Sequence, residues 1–501
     1  MNRFVILVSS LAGATFLGCT VGPDYAPPTT AMPDHFGEYL SASEATTRPA
    51  TMPSTQAVSG QVERWWENFR DPQLNNLIER AVQSNLDLKA AEARIRQARA
   101  QYGVMLANEF PLVTARGSAT RSRGSTGVGS RSSSSSAFTP TAHPNNLYQA
   151  AFDASWEIDV FGGVRRGVEA AEHDIEAAVE DRHNVLLTLI SEVARDYVDY
   201  RGFARQIEIA KENVAAQEET LAVTRRQFEA GLKTATELDV ARAQALVFST
   251  QSQIPALETS LRQTAHAIAI LLGKEPNALT QELGASRPIP SAVIPVVPIG
   301  LPSDLLRRRP DIRRAERQLA AATARIGVAT ADLFPKFSLT GSLGLESSKF
   351  KDIANYGSHF WSIGPSVSWP VLDFGKIRAN IRVQNALQEQ AMTAYESAVL
   401  IALGEVEDTL VAYGREQVRR QDLSNSVGAN RRAVSLARQR YDAGLTDFLS
   451  VLDAERSLYA AQDQLIQSDR LVSTNLVALY KALGGGWESL EPQARQAAVR
   501  P

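Results

Sequence analysis

From Tyr148 to Val160 the chain alternates almost without fault between apolar and polar side chains. Tyr148, Ala150, Phe152, Ala154, Trp156, Ile158 and Val160 share one parity; Gln149, Asp153, Ser155, Glu157 and Asp159 share the other, with small Ala151 among them. A period of two predicts a strand with one apolar face and one wetted face. The pattern returns in the second half. Phe337, Leu339, Leu343 and Leu345 oppose Ser338, Thr340, Ser342 and Glu346, and Trp361, Ile363, Val367, Trp369 and Val371 oppose Ser362, Gly364, Ser366 and Ser368. The first half adds a weaker strand after the EFP of residues 109–111, then a Ser/Gly/Arg-rich loop over 121–144 whose serine run, 132–136, suits an outward-facing loop.

Between the strands the period changes. Over residues 163–230 there is no proline, and Ile175, Val179, Leu186, Leu189, Val193, Tyr197, Ile207, Val214 and Leu221 recur mostly at threes, fours and their sums, which predicts one helix roughly 100 Å long. A return helix over 235–272 covers only about 55 Å of it, and a helix from the Asp71-Pro72 start to about Asn108 is available for the rest. Residues 376–441, 448–483 and 303–331 repeat the plan. Asp159-Val160-Phe161-Gly162 answers to Leu372-Asp373-Phe374-Gly375, and FEAGL at 228–232 answers to YDAGL at 441–445, so one unit is duplicated.

Alternating strands also suit a soluble sandwich, and long amphipathic helices also suit a solid coiled-coil stalk. The N-terminus favours a membrane. Arg3, an apolar run over 4–17 and then Cys19 form a secretory signal too short to span a bilayer, and no later run is long enough to do so as a helix. Any span is then β, and each strand reaches the about 9 to 11 residues that a barrel strand needs. Four strands cannot close a barrel, and open edges are not tolerated in lipid, so the chain is expected to oligomerise, with the helices carrying the wall on as a hollow tube. Cys19, the only cysteine, excludes an intrachain disulfide and resembles a bacterial lipoprotein processing site, with Phe16 where that pattern usually has Leu. Thr20 follows it, without the Asp associated with inner-membrane retention.

The balance of 52 basic against 55 acidic side chains, a net charge of -3, does not suggest nucleic-acid binding. His35, His143, His173, His183, His266 and His359 form no ligand spacing, the GGG at 484–486 lacks the strand context of a phosphate loop, and no nucleophile and base constellation is evident. The expectation is therefore no enzyme, no catalytic residue, no metal and no cofactor beyond a lipid on Cys19.

Four stretches resemble the outer-membrane efflux channel family, the TolC and OprM type, and its lipoprotein branch that partners RND pumps. They are CTVGPDY (19–25), WWENFRDPQLNNLIERA (65–81), LLRRRPDIRRAERQLAAATARIGVATADLFPKFSLTGSLG (305–344) and LYKALGGGW (479–487). The resemblance implies a mixed α/β membrane protein, mainly α: a homotrimer whose four strands per chain form a twelve-strand transmembrane β-barrel, continued into a periplasmic α-helical barrel, with two internal repeats per chain. It implies a location in the outer membrane, lipid-anchored, with a periplasmic adaptor and an inner-membrane RND-type transporter as partners. The organisation is then a lipoprotein signal peptide (1–18), an N-terminal linker or equatorial segment (19–64), the first repeat (65–273, hairpin about 111–160), a linker or equatorial segment (274–302), the second repeat (303–487, hairpin about 335–373) and a C-terminal tail (488–501). The proline-rich stretches, 23–53 and 288–302, read as linkers wrapping the outside.

The resemblance also places functional residues. Gly231-Leu232 and Gly444-Leu445 look like the tips that dock the adaptor; physically they are also glycine-terminated helix ends of antiparallel pairs. Leu449 and Asp453 lie four apart on one helix face and resemble the family's periplasmic gate, where rings of three leucines and three aspartates resist wetting and favour cations. Arg456 joins the gate set, with Asp239 and Arg242 as first-repeat counterparts; a solvated Asp453 paired with Arg456 is the plainer alternative. The function expected is a passive, gated exit duct of a tripartite efflux system for small molecules. A channel of a type I protein-secretion exporter and a non-pore periplasmic coiled-coil adaptor are the alternatives.

Overall fold

The computed structural model describes residues 20–29, 32–37, 63–123, 144–231, 235–284 and 303–490, so Cys19, Leu232, the serine run and the 288–302 linker lie outside the described residues. It divides into two compact units. One joins Ile95–Ala177 and Glu316–Ala394 to the N-terminal segment through Pro28; the other joins Thr29–Arg94, Ala178–Ala315 and Tyr395–Pro501.

The first unit holds one four-stranded antiparallel sheet in the order β1-β2-β3-β4: β1 (Leu112–Ser122), β2 (Asn145–Ile158), β3 (Lys336–Ser347) and β4 (His359–Ser368). Its register keeps like with like, as the alternation requires. Ala115, Phe152, Leu343 and Trp361 lie in one row, and Thr114, Asp153, Ser342 and Ser362 in the next. On the polar face Ser338 and Ser366 share a hydrogen bond of 2.9 Å, and Ser342 and Ser362 one of 2.7 Å. β1 and β4 are both edges, and β1 is exposed along its whole length.

The helices, in chain order, are α1 (Pro72–Ser84), α2 (Leu86–Ala107), α3 (Gly163–Glu229), α4 (Glu237–Leu271), α5 (Thr280–Leu283), α6 (Asp304–Arg308), α7 (Pro310–Ala331), α8 (Lys376–Asp442) and α9 (Phe448–Ala482). The duplication is matched in length: α2 and α7 have 22 residues each, α3 and α8 have 67, α4 and α9 have 35. Where the periodicity predicts single helices over 72–108 and 303–331, the structure breaks each. Asn85 leaves helical geometry so that its side chain caps Leu88 N–H and donates to Leu271 O at 2.9 Å. Arg309 is held extended by the following Pro310, and its guanidinium donates to Ala482 O at 3.1 Å. The two breaks are counterparts tied to counterpart helix ends.

The strand-to-helix corners are also counterparts. Trp156 donates its indole N–H to Glu109 O at 2.9 Å, and Trp369 donates to Leu333 O at 3.0 Å. Gly162 and Gly375 turn each corner with φ of 78° and 85°, a region that glycine enters without penalty. Asp159 caps α3 by accepting from Arg165 N–H, and Asp373 caps α8 by accepting from Gly375 and Ile377 N–H. At the first corner the segment just after Cys19 is pinned: Val21 N–H donates to Phe161 O, and Arg166 pairs with Asp24. A Cβ at Gly22 would lie 2.5 Å from the Gly327 Cα, so the backbones touch there.

In the second unit the main core gathers Trp65, Trp66, Phe69, Leu74, Leu77, Ile78, Leu186, Val193, Tyr197, Ile268, Leu272, Tyr480 and Trp487. Asp71 caps α1 with Pro72 as its first residue, as the sequence motif indicates. The glycine run ends α9, and Trp65 stacks on Tyr480 and donates to Gly485 O.

Candidate gate and docking tips

Each long helix ends in a glycine with positive φ, 69° at Gly231 and 70° at Gly444. At the second tip Gly444 N–H donates to Tyr441 O and Leu445 N–H to Arg440 O, the paired bonds of a glycine-terminated helix end, and Leu445 is left exposed. The return helices start from side-chain caps. Thr236 and Asp239 cap each other's backbone in a capping box, and Asp447 accepts from Ser450 N–H and its hydroxyl. Those bonds, the hydroxyl first, hold the Asp447 carboxyl below the usual carboxylate range.

The first turns of α9 divide into two faces. Leu449, Asp453 and Arg456 occupy the exposed one, with Asp453 and Arg456 4.0 Å apart. Phe448, Val451 and Leu452 are buried on the other, packed with Tyr441 and Ala243. Asp239 and Arg242 lie 3.9 Å apart, but Asp239 is engaged as a cap. Because α4 and α9 are equally long, matching their starts sets Arg242, not Asp239, level with Asp453.

Sequence reading missed the polar ties behind that face. Glu455 sits in the buried stripe with 1% of its side chain exposed, and its Oε1 accepts from Arg438 at 2.7 Å and from Thr220 at 3.2 Å. Its Oε2 is buried without a partner. Arg438 also donates to Thr220, so α3, α8 and α9 meet at one carboxylate. Nearer the tip, Tyr441 donates to Gln227 at 2.6 Å, joining the ends of α8 and α3. Burial, reinforced by Glu455, raises the Tyr459 phenol. Among the described residues no helix is long and apolar enough to cross a membrane, and no group of three His, Cys, Asp or Glu side chains is placed to hold a metal.

An amphiphilic sheet with two open edges, joined to duplicated helical hairpins with capped tips, defines an outer-membrane channel subunit. The family model described as "Outer membrane efflux protein" matches residues 77–274 and 301–485, and the chain belongs to that family. It is similar to the solvent efflux pump outer membrane protein SrpC of Pseudomonas putida, 34% identical over 94% of this chain and 96% of the relative. It is also similar to the pyoverdine export outer membrane protein OpmQ of the same species (strain KT2440), 36% identical over 89% and 93%. Among solved structures the outer-membrane channel OprN superposes with a TM-score of 0.84 at 38% identity, covering 94% of this chain and all of that one. The fold class is thus that of the family, a trimeric β-barrel with a periplasmic helical barrel. The protein is an outer-membrane channel of a tripartite efflux system, and it works with adaptor and inner-membrane pump components.

Proposed function

We propose that the channel is a passive, gated outlet for small molecules, driven by an RND-type transporter, with no catalytic role of its own. Relatives named for solvent and pyoverdine export support the small-molecule class. In the trimer, Leu449 and Asp453 of three subunits converge as an apolar ring above or below an acidic ring, and Arg456 partners the carboxylates. Gly231-Leu232 and Gly444-Leu445 dock the adaptor; the exposed Leu445 beyond a rigid glycine turn is the apolar knob such docking uses. Cys19 carries the acyl chains, each buried methylene adding about 0.8 kcal/mol of anchoring. The pinning of Val21 and Asp24 at the strand-to-helix corner supports this, since it sets the lipidated end where strands give way to helix.

The observation that carries the gate reading is the division of α9: one face is locked into the chain, and Leu449, Asp453 and Arg456 turn outward together on the other near the tip. Replacing Asp453 with Ala removes three converging charges and should raise single-channel conductance severalfold in planar bilayers. A variant as closed as the parent protein would remove Asp453 from the gate.

A further inference from the structure

On the sheet the charged side chains keep to one face, with a single exception. Arg116, Asp153, Glu157, Lys336 and Glu346 all lie on the polar parity, where Arg116 and Asp153 are 3.5 Å apart. Arg121 lies on the apolar one. It stands opposite Asn146, one row of that face beyond Ala119, Tyr148 and Ser347, and Arg123 follows two residues on. This is the end of the sheet remote from the strand-to-helix corners. In an outer-membrane channel whose helices are periplasmic, it faces the cell exterior.

The height of the apolar face fixes what that row meets. From Ile158 to Tyr148 β2 rises about 34 Å, or about 26 Å at the tilt of a barrel strand, which matches an apolar band about 25 Å tall. Tyr148 therefore closes the band, and Arg121 sits about 5 Å beyond it, at the depth of lipid headgroups. The next hairpin brings the same chemistry to the same rim. Lys349, Phe350 and Lys351 follow β3; Phe350 meets Tyr148 edge-on with ring centroids 5.6 Å apart yet is 71% exposed, and Lys349 N–H donates to the Ser347 hydroxyl at 3.2 Å. Because β1 and β3 flank β2, the arginine and lysine backbones lie about 10 Å apart across it.

These cations are not balanced within the chain. Among the described residues Arg121, Arg123, Lys349 and Lys351 form no ion pair, unlike Arg116 on the polar face. Residues 110–152 contain no Asp or Glu at all. Of the acids near the lysines, Glu346 lies on the polar face opposite Gln149, and the Asp352 carboxylate accepts from Asn355 at 3.4 Å. We propose that this rim binds the phosphates of the glycolipid that forms the outer leaflet, lipopolysaccharide. Arg121 and Arg123 hold phosphate on one side of β2 and Lys349 and Lys351 on the other, while Tyr148 and Phe350 lie against the top of the acyl chains. Charge complementarity selects the occupant: unbalanced cations at headgroup depth suit a densely anionic leaflet, and the guanidinium fork matches phosphate. A neutral headgroup would leave all four without a counter-charge.

The test uses the full-length protein, purified in detergent and freed of co-purified lipid, with retained lipid counted by native mass spectrometry. Diphosphorylated lipid A should be held at least tenfold more tightly than lipid A stripped of its phosphates, and the difference should shrink as salt is raised. Arg121→Gln with Arg123→Gln should remove at least tenfold of that preference. Lys349→Gln with Lys351→Gln, confined to a loop, should remove severalfold and reads the same rim if the strand pair disturbs assembly. Arg116→Gln, on the polar face, should change nothing. Equal retention by parent and both double variants, or equal retention of the stripped lipid, would overturn the phosphate rim. Displacement by inorganic phosphate at matched concentration, or equal retention of phosphatidylglycerol, would overturn the outer-leaflet glycolipid as its occupant.

Discussion

α3 and α8 are equally long, occupy the same place in their repeats and begin at the same kind of corner, yet they are packed differently. On one face they agree: Leu186 and its counterpart Val399 are both buried, as are Val193 and Val406. On a second face they part. Leu187 is 4% exposed where Leu400 is 69%, and Val198 is fully buried where Val411 is 39% exposed. The first face is buried in both helices. The second is covered for α3 and left open for α8. An apolar face kept at positions where the duplicate is buried marks an interface that another copy completes.

The largest effect should separate the two helices outright. Val198→Asp places a carboxylate in the core of a subunit and should cost roughly 4 kcal/mol, enough to lose helical signal and protease resistance. Val411→Asp should leave the subunit folded, within about 1 kcal/mol, and shift the detergent-solubilised particle toward smaller species by light scattering. If both variants unfold alike, the open face of α8 is not a separate surface.

A smaller effect tests the covered side at its most polar point. Glu455 meets Thr220 across the α3–α9 contact, and the corresponding positions on the open side are Gln244 and Ala433. Glu455→Ala removes the carboxylate that ties α3, α8 and α9 together but leaves a half-exposed Arg438 able to solvate, and should cost about 1 kcal/mol in denaturant unfolding of the tip. Glu455→Gln gives the covered contact the amide of the open one and should cost less. An alanine variant as stable as the parent would mean that the three-helix tie does not hold the tips together. This carboxylate was legible in part. Phe448, Val451, Leu452 and Leu458 form a stripe at helical spacing, and Glu455 lies within it. Its partners were not, because Thr220 lies 235 residues away and Arg438, 17 residues off, meets it only once α8 and α9 fold back on each other.

The strands and long helices were legible because their periods are long and clean; parity gave the face of each strand residue, while the register of the rows needed the structure. The breaks were not equally so. Pro310 marks one of them, whereas Asn85 is a break only because Leu271 offers a carbonyl to it. The counterpart of Asp453 was misplaced for a related reason: LDVAR and LDAER look alike as words, but caps fix where each helix starts, and Thr236 and Asp447 start theirs at different distances from the tip glycines. Leu449, Asp453 and Arg456 were found on one face because only helical spacing was needed.

The smallest effect lies at those caps, where the repeats come closest to being interchangeable. The Asp447 carboxyl titrates below its ordinary value in the folded chain, so its contribution is present in full above the ordinary carboxylate range and is lost as pH falls through the lowered value. Amide exchange in the first turn of α9 should therefore quicken relative to that of α4 as the solution is acidified. Asp447→Ala should bring the same severalfold loss of protection at neutral pH and abolish that part of the pH dependence. Thr236→Ala at the other tip should loosen α4 and leave α9 unchanged. If exchange at α9 follows pH equally with and without Asp447, the two tips differ for another reason, and the charge seated at the start of α9 is not what holds its first turn.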